Sequence, residues 1–177
     1  VRASFSKVLL LVAAAVATVL VVSIAIHYIN LWQADPITSN GLSMHNDETR
    51  RIYVELVNNG RHVVQLTDVT INGGKRPKLV QLVISYTGEL PSFGIEDNEL
   101  ADYVGIHEME IKPSLANSSA DVREIIQSNI SNPEHRVPIH YGLYLDSDDL
   151  IETMELRYKY LGISKTKTIM ISPNWAD

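Results

Sequence analysis

The 177-residue sequence has no cysteine. That excludes disulfides, thiolate zinc sites, iron–sulfur clusters, Cys nucleophiles and lipidated Cys anchors. It also has no Walker or dinucleotide-type glycine pattern; Gly73-Gly74 reads as a turn instead. Basic residues are in deficit, 15 against 21 acids, and the net charge of −6 argues against a nucleic-acid partner. The composition is neither collagen-like nor coiled-coil, and with 45% hydrophobic residues it is too apolar for a disordered chain. There is room for one domain and an appendage.

The most informative absence is local. From Val8 to Ile26, 19 residues, there is no charge, and Thr18 and Ser23 are the main polar breaks. A helix needs roughly 20 residues to cross about 30 Å of hydrocarbon. His27, Tyr28 and Trp32 follow, and amphipathic aromatics favour the headgroup region. Arg2, Lys7 and the α-amino group precede the run, whereas the first charge after it is Asp35. The positive-inside rule therefore puts the N-terminus in the cytoplasm and the chain after about residue 33 outside. The organisation expected is a cytoplasmic N-terminus (1–7), a transmembrane helix (8–29), a juxtamembrane linker (30–49) and an extracytoplasmic domain (50–177). A cleaved signal peptide, with Ser23 and Ala25 before the cut, is the competing reading, but its apolar core would be shorter. The opening Val1 reads as a GTG start and hence a prokaryotic source, in which the sequons at Asn117 and Asn129 would carry no glycan.

Beyond the linker the pattern is β. Ile52, Val54 and Leu56 alternate with polar positions, and Asn58-Asn59-Gly60 offers a tight turn. In Val63–Ile71 the apolar parity changes between Leu66 and Val69, as a bulge or a strand switching sheets would require. Leu79–Tyr86 is apolar on both faces and reads as a central strand. Tyr103–Lys112 reads as one strand. Residues 114–134 carry the soluble helix, with Asp121 and Glu124 as a capping box. Val137–Asp146, Met154–Leu161 and Thr166–Ser172 complete the set. About seven strands and one short helix make the domain all-β, an immunoglobulin-like or fibronectin-like sandwich, with a jelly roll or small barrel as the alternative. Leu82, Ile84, Tyr141, Leu143, Leu156 and Tyr158 are expected to share its interior.

Candidate chemistry is sparse. Asp146, Asp148, Asp149 and Glu152 form the densest carboxylate group, but their spacing misses the calcium-loop pattern. The histidines lack H-x-H or H-E-x-x-H spacing. Gly41-Leu42-Ser43-Met44-His45 does not satisfy G-x-S-x-G. Alternation with charged residues makes Tyr158 and Tyr160 packing residues. No cofactor or metal is expected. The segment from Gly88 to Asp102 is longer than an ordinary connection and sets Leu90, Phe93 and Ile95 among acids including Glu96 and Asp97. Apolar anchors rimmed by charge suit a partner-binding loop. After the membrane segment 13 basic residues face all 21 acids, giving −8, which keeps such a domain soluble and discourages tight contact with anionic lipid.

The run from Trp32 to Ser85, with GLSMHNDETRRIYVELVNNG and VTINGG, and the strand MELRYKYLGI resemble small membrane-anchored proteins of spore-forming Gram-positive bacteria. The resemblance implies one membrane helix and an external sandwich; it implies no activity and transfers no functional residue. The expectation is a non-enzymatic, membrane-anchored interaction or accessory module whose partners are the membrane and an envelope protein. The alternative is an extracytoplasmic hydrolase or metal-binding domain whose site is gathered from distant strands.

Overall fold

The computed structural model describes residues 2–45, 48–88, 101–105, 109–114 and 119–171. The chain divides into two compact units, Val1–Ala34 and Asp35–Asp177. The first is a single helix, α1 (Arg2–Gln33). Within it Leu10–Leu31, 22 residues, is long and apolar enough to cross a bilayer. At 1.5 Å per residue that stretch spans about 33 Å.

The second unit is mostly β, with nine strands in two antiparallel sheets among the described residues. The strands are β1 (Ile37–His45), β2 (Glu48–Asn58), β3 (Val64–Ile71), β4 (Leu79–Ser85), β5 (Ala101–Val104), β6 (Glu110–Ile111), β7 (His140–Asp146), β8 (Thr153–Tyr160) and β9 (Ile163–Met170). One sheet has the order β1-β2-β7-β4-β5, and the other β6-β3-β8-β9. A short helix, α2 (Ser119–Ser131), precedes β7. The core is apolar and comes from one face of each sheet. Ile52, Val54, Leu56, Leu82, Leu143 and Leu145 are buried on the first, and Val64, Leu66, Val69, Ile71, Met154 and Leu156 on the second. Of the six expected interior residues five are buried, and Ile84 is half-buried. The parity change in β3 is a bulge: the pairing with β8 shifts between Leu66 and Asp68. The extra residue lets Leu66 and Val69 face the same way.

Several sequence expectations are corrected. Among the described residues there are nine strands rather than about seven. Residues 30–33 continue α1, and 37–45, expected as linker, form β1. The strand is hidden in the sequence by its own bulge. Its pairing with β2 slips between Ser39 and Gly41, so Ile37, Ser39, Leu42 and Met44 share a face without a regular period of two. Tyr103–Lys112 is two short strands, because the chain leaves the first sheet after Val104 and reaches the second at Glu110. Helix α2 starts at Ser119, so Asp121 lies inside its first turn rather than at its cap. Leu79–Ser85 is an inner strand, paired with β7 and β5, but it is not closed on both faces along its length: Leu82, Val83 and Ser85 are buried and Leu79 is exposed.

Turn chemistry divides the same way. Asn72, Gly73 and Gly74 have φ of 45°, 77° and 109°, the left-handed backbone that glycine and asparagine tolerate. Leu161 and Gly162, with φ of 52° and 79°, make the two-residue turn between β8 and β9. Asn58-Asn59-Gly60 does not make a hairpin; it carries the chain from the first sheet to the second. The buried Asn58 side chain donates to His62 O (2.8 Å) and Ile111 O (2.9 Å) and accepts from Gly60 N (2.9 Å). A polar side chain with every bond made can be buried at low cost, and this one ties β2 to β6.

Strand β9 is an edge, and Lys165 and Lys167 stand opposite the buried Tyr158 and Leu156. Residues directly opposite in a pair share a face, so these lysines point inward. Inward charge on an edge strand obstructs pairing with another chain.

Candidate functional site

A cleft of about 80 Å³ opens where β2 ends and β7 begins. Glu55 and Val57 come from β2, His140 and Tyr141 from β7, and Lys112 and Ser114 from the segment after β6. The β1 bulge adds Asn40. Bulges re-aim side chains in this way beside many sites. The pairing of β1 with β2 sets Gly41 opposite Glu55, and a Cβ there would stand 3.7 Å from Glu55 Oε2.

The central contact is between His140 Nδ1 and Glu55 Oε1, at 3.1 Å. Both side chains are largely shielded, 27% and 12% exposed. A carboxylate on one ring nitrogen fixes an imidazole's orientation and tautomer, the supporting half of a hydrolytic triad. The reactive half needs a nucleophile bonded to the other nitrogen. Among the described residues His140 makes its one side-chain hydrogen bond to Glu55. The cleft can hold a few waters or one small polar group.

Of the segment singled out in the sequence, Leu90, Phe93, Ile95, Glu96 and Asp97 lie outside the described residues, while Ala101 and Asp102 belong to β5, where Asp102 accepts from Tyr86 Oη at 2.6 Å. Gly88, its first residue, faces α2, where an added Cβ would meet Ile126 Cδ1 at 3.3 Å. The carboxylates of 146–152 form no cage. Asp149 pairs with Lys75 at 2.8 Å, which lowers its pKa and raises that of the lysine. Among the described residues no three His, Asp or Glu side chains are grouped to hold a metal ion. His135 is exposed, His62 packs edge-on to Tyr160, and His107 lies outside the described residues. Ser43 is in β1, within a strand rather than at a strand-to-helix turn.

The sequon at Asn129 is closed. The residue is 1% exposed, and its amide donates to Tyr86 O and Val137 O, both at 2.9 Å. Its carbonyl oxygen accepts from Val137 N at 2.7 Å. Asn117 lies outside the described residues.

Sequence reasoning missed a clasp where the sandwich begins. Asp35 accepts from Tyr158 Oη (3.2 Å) and from Lys167 Nζ (2.6 Å), and Lys167 also donates to Ile37 O. Tyr158 and Tyr160 are core residues as read, but Tyr158 also carries this polar tip. Burial first, then the Asp35 carboxylate, pushes the Tyr158 hydroxyl pKa well above its ordinary range. Burial lowers the pKa of the neighbouring Lys165, and Asp35 opposes the shift. No local motif marks the clasp, because Asp35 lies more than 120 positions from Tyr158 and from Lys167.

Comparison of the chain with protein-family models, with curated proteins and with solved structures gives no match.

Proposed function

We propose that this protein is a single-pass membrane protein whose sandwich stands outside the cytoplasm as a non-enzymatic interaction or accessory module of the cell envelope. The observation that carries this reading is the apolar stretch Leu10–Leu31, joined within four residues to the first residue of a compact β unit. Arg2 and Lys7 on one side, and no charge before Asp35 on the other, support a cytoplasmic N-terminus and a retained signal-anchor. The strand order supports an immunoglobulin-type sandwich. The run β1-β2-β7-β4 follows the A-B-E-D order of that fold, and β3-β8-β9 follows C-F-G. Strands β5 and β6 are then additions between D and E. Fold alone assigns no activity. The segment 88–102, with Leu90, Phe93, Ile95, Glu96 and Asp97, is our proposed partner-binding loop on its sequence.

Protease added to intact protoplasts tests the topology. Digestion of everything after about residue 33, with a membrane-embedded remnant left behind, is the expected result. Protection until the membrane is lysed refutes it. Crosslinking in intact cells, followed by purification of the full chain, tests the partner. A specific envelope protein lost on Phe93→Ala supports the loop, and capture unaffected by that change removes it.

A further inference from the structure

Several polar groups lining the cleft between β2 and β7 are bonded within the fold. The Asn58 side chain makes three hydrogen bonds, and the Tyr141 hydroxyl accepts from Lys112 N at 3.2 Å. Ser114 N donates to Asn58 O at 2.8 Å. These two backbone bonds pin the chain on either side of Pro113 and hold Lys112 and Ser114 at the cleft.

Four groups on the same lining keep bonding capacity. Glu55 gives Oε1 to His140, and Oε2 has no partner among the described residues. A carboxylate with 12% of its side chain exposed is poorly hydrated and gains from a further donor. With Nδ1 of His140 donating to Glu55, Nε2 of the neutral ring is a second acceptor. The Lys112 ammonium is exposed, and Asn40 stands out on the β1 bulge. Among the described residues neither of these side chains has a hydrogen-bond or ion-pair partner. The other described acids at this end of the first sheet and its seam are committed, Asp102 to Tyr86 and Asp35 to Tyr158 and Lys167.

Gly41 keeps Oε2 open. A Cβ on Gly41 would stand 3.7 Å from Glu55 Oε2, in ordinary contact, and would meet nothing but Glu55 within 4 Å. The backbone there does not require glycine, since Gly41 is not among the residues of positive φ. What the missing side chain provides is space over the carboxylate.

We propose that this cleft binds a small free α-amino acid, its ammonium on Glu55 Oε2 and His140 Nε2 and its carboxylate on Lys112 Nζ and the Asn40 amide. One acid, one base and two neutral polar groups match a zwitterion. A simple anion would be repelled by Glu55, and a simple cation by Lys112. The volume of about 80 Å³ suits a ligand of a few heavy atoms. The site does not depend on the membrane reading, and its failure would leave that reading untouched.

Glycine is the probe. It is titrated into the full-length protein in detergent, with the ring resonances of His140, assigned by their loss in His140→Gln, as the readout. A saturable shift is expected. Methylamine and acetate each carry one charge of the pair and should bind about tenfold more weakly or worse, the effect of losing one charge-assisted bond. Glu55→Gln and Lys112→Gln should each weaken glycine by a similar factor. Gly41→Ala should do so as well, by covering Oε2, while its urea-unfolding midpoint stays at the wild-type value; it carries the test if Glu55→Gln does not fold. Absence of a saturable shift overturns the site. Acetate or methylamine binding as tightly as glycine overturns the zwitterion. Undiminished glycine binding by Gly41→Ala places the ligand elsewhere and overturns the proposal too.

Discussion

Replacing Asn129 with alanine should destabilise the domain by about 2–4 kcal/mol. The side chain makes three hydrogen bonds of 2.7–2.9 Å and is 1% exposed. Each such bond contributes roughly 0.5–1.5 kcal/mol net, and a buried group left without a partner costs about 1–3 kcal/mol. The two ends of the network are unequal. Val137 is exposed, so water can replace the amide on its backbone, whereas Tyr86 is buried and its carbonyl would stay unpaired. Most of the loss therefore falls on the Tyr86 contact, which fastens α2 to the end of β4. Asn129→Asp separates hydrogen bonding from packing, since it keeps the volume but points acceptors at two carbonyls. It should cost at least as much as alanine. The assay is urea unfolding of the full chain in detergent, followed by near-ultraviolet circular dichroism. With a slope of about 2 kcal/mol per molar urea, the middle of the usual range, the midpoint should fall by about 1–2 M. A loss below about 0.5 kcal/mol, the range of ordinary surface changes, would refute the reasoning. So would an aspartate variant as stable as wild type, because packing would then explain the alanine result.

Leu143→Ala should cost about 2–5 kcal/mol by chemical denaturation, because the side chain is fully buried between β2 and β4. Thr70 is buried and its hydroxyl has no hydrogen-bond partner among the described residues, so Thr70→Val, similar in shape, should leave stability unchanged or raise it by about 1 kcal/mol; a clear loss in the same titration would show a hidden partner. Leu161→Asn should raise stability by about 1 kcal/mol by relieving the left-handed strain, and a lower melting temperature would mean that leucine packs for the fold. The hydroxyls of Tyr86, Tyr141 and Tyr158 all have raised pKa values, with burial the leading cause. In the unfolded chain they ionise near pH 10, at about the ordinary value, so above that pH the unfolded state releases protons first. Stability should be intact below about pH 10 and fall as pH rises further. Tyr158→Phe should flatten part of that decline in thermal melts, and an unchanged slope would count against the Tyr158 contribution.

The regular strands were legible because burial on one face writes itself as period two. In β8 the reading of Met154, Leu156, Tyr158 and Tyr160 as inward-facing agrees with their burial. The bulge in β3 was legible as well, since apolar residues on both sides of the extra position expose the change of parity. The bulge in β1 was not. There the extra residue is Asn40 and the core-facing set mixes Ser39 with Ile37, Leu42 and Met44, so the segment read as linker. The Asn58 turn failed for a different reason. Asn-Asn-Gly is a good hairpin signal when the asparagine uses its backbone freedom, but here Asn58 spends its side chain on a β6 carbonyl 53 residues away. Local propensity has no access to that partner.

The same limit governs the sites. Glu55 and His140 are 85 positions apart and meet only because β2 pairs with β7. Asp35 finds Tyr158 and Lys167 only because β1 and β9 run along the two edges on one side of the sandwich. Such pairs leave no spacing motif, and a periodicity argument takes each member alone, setting Glu55 and His140 on an exposed strand face, Asp35 in linker and Tyr158 in the core. Lys167 shows what the sequence does offer. A lysine on the inward parity of an amphipathic strand is costly unless something receives it, so its position implies a buried or half-buried acceptor elsewhere. The inward lysines of β9 therefore required a counter-charge at the open seam, and Asp35, the first charge after the apolar run, supplies one.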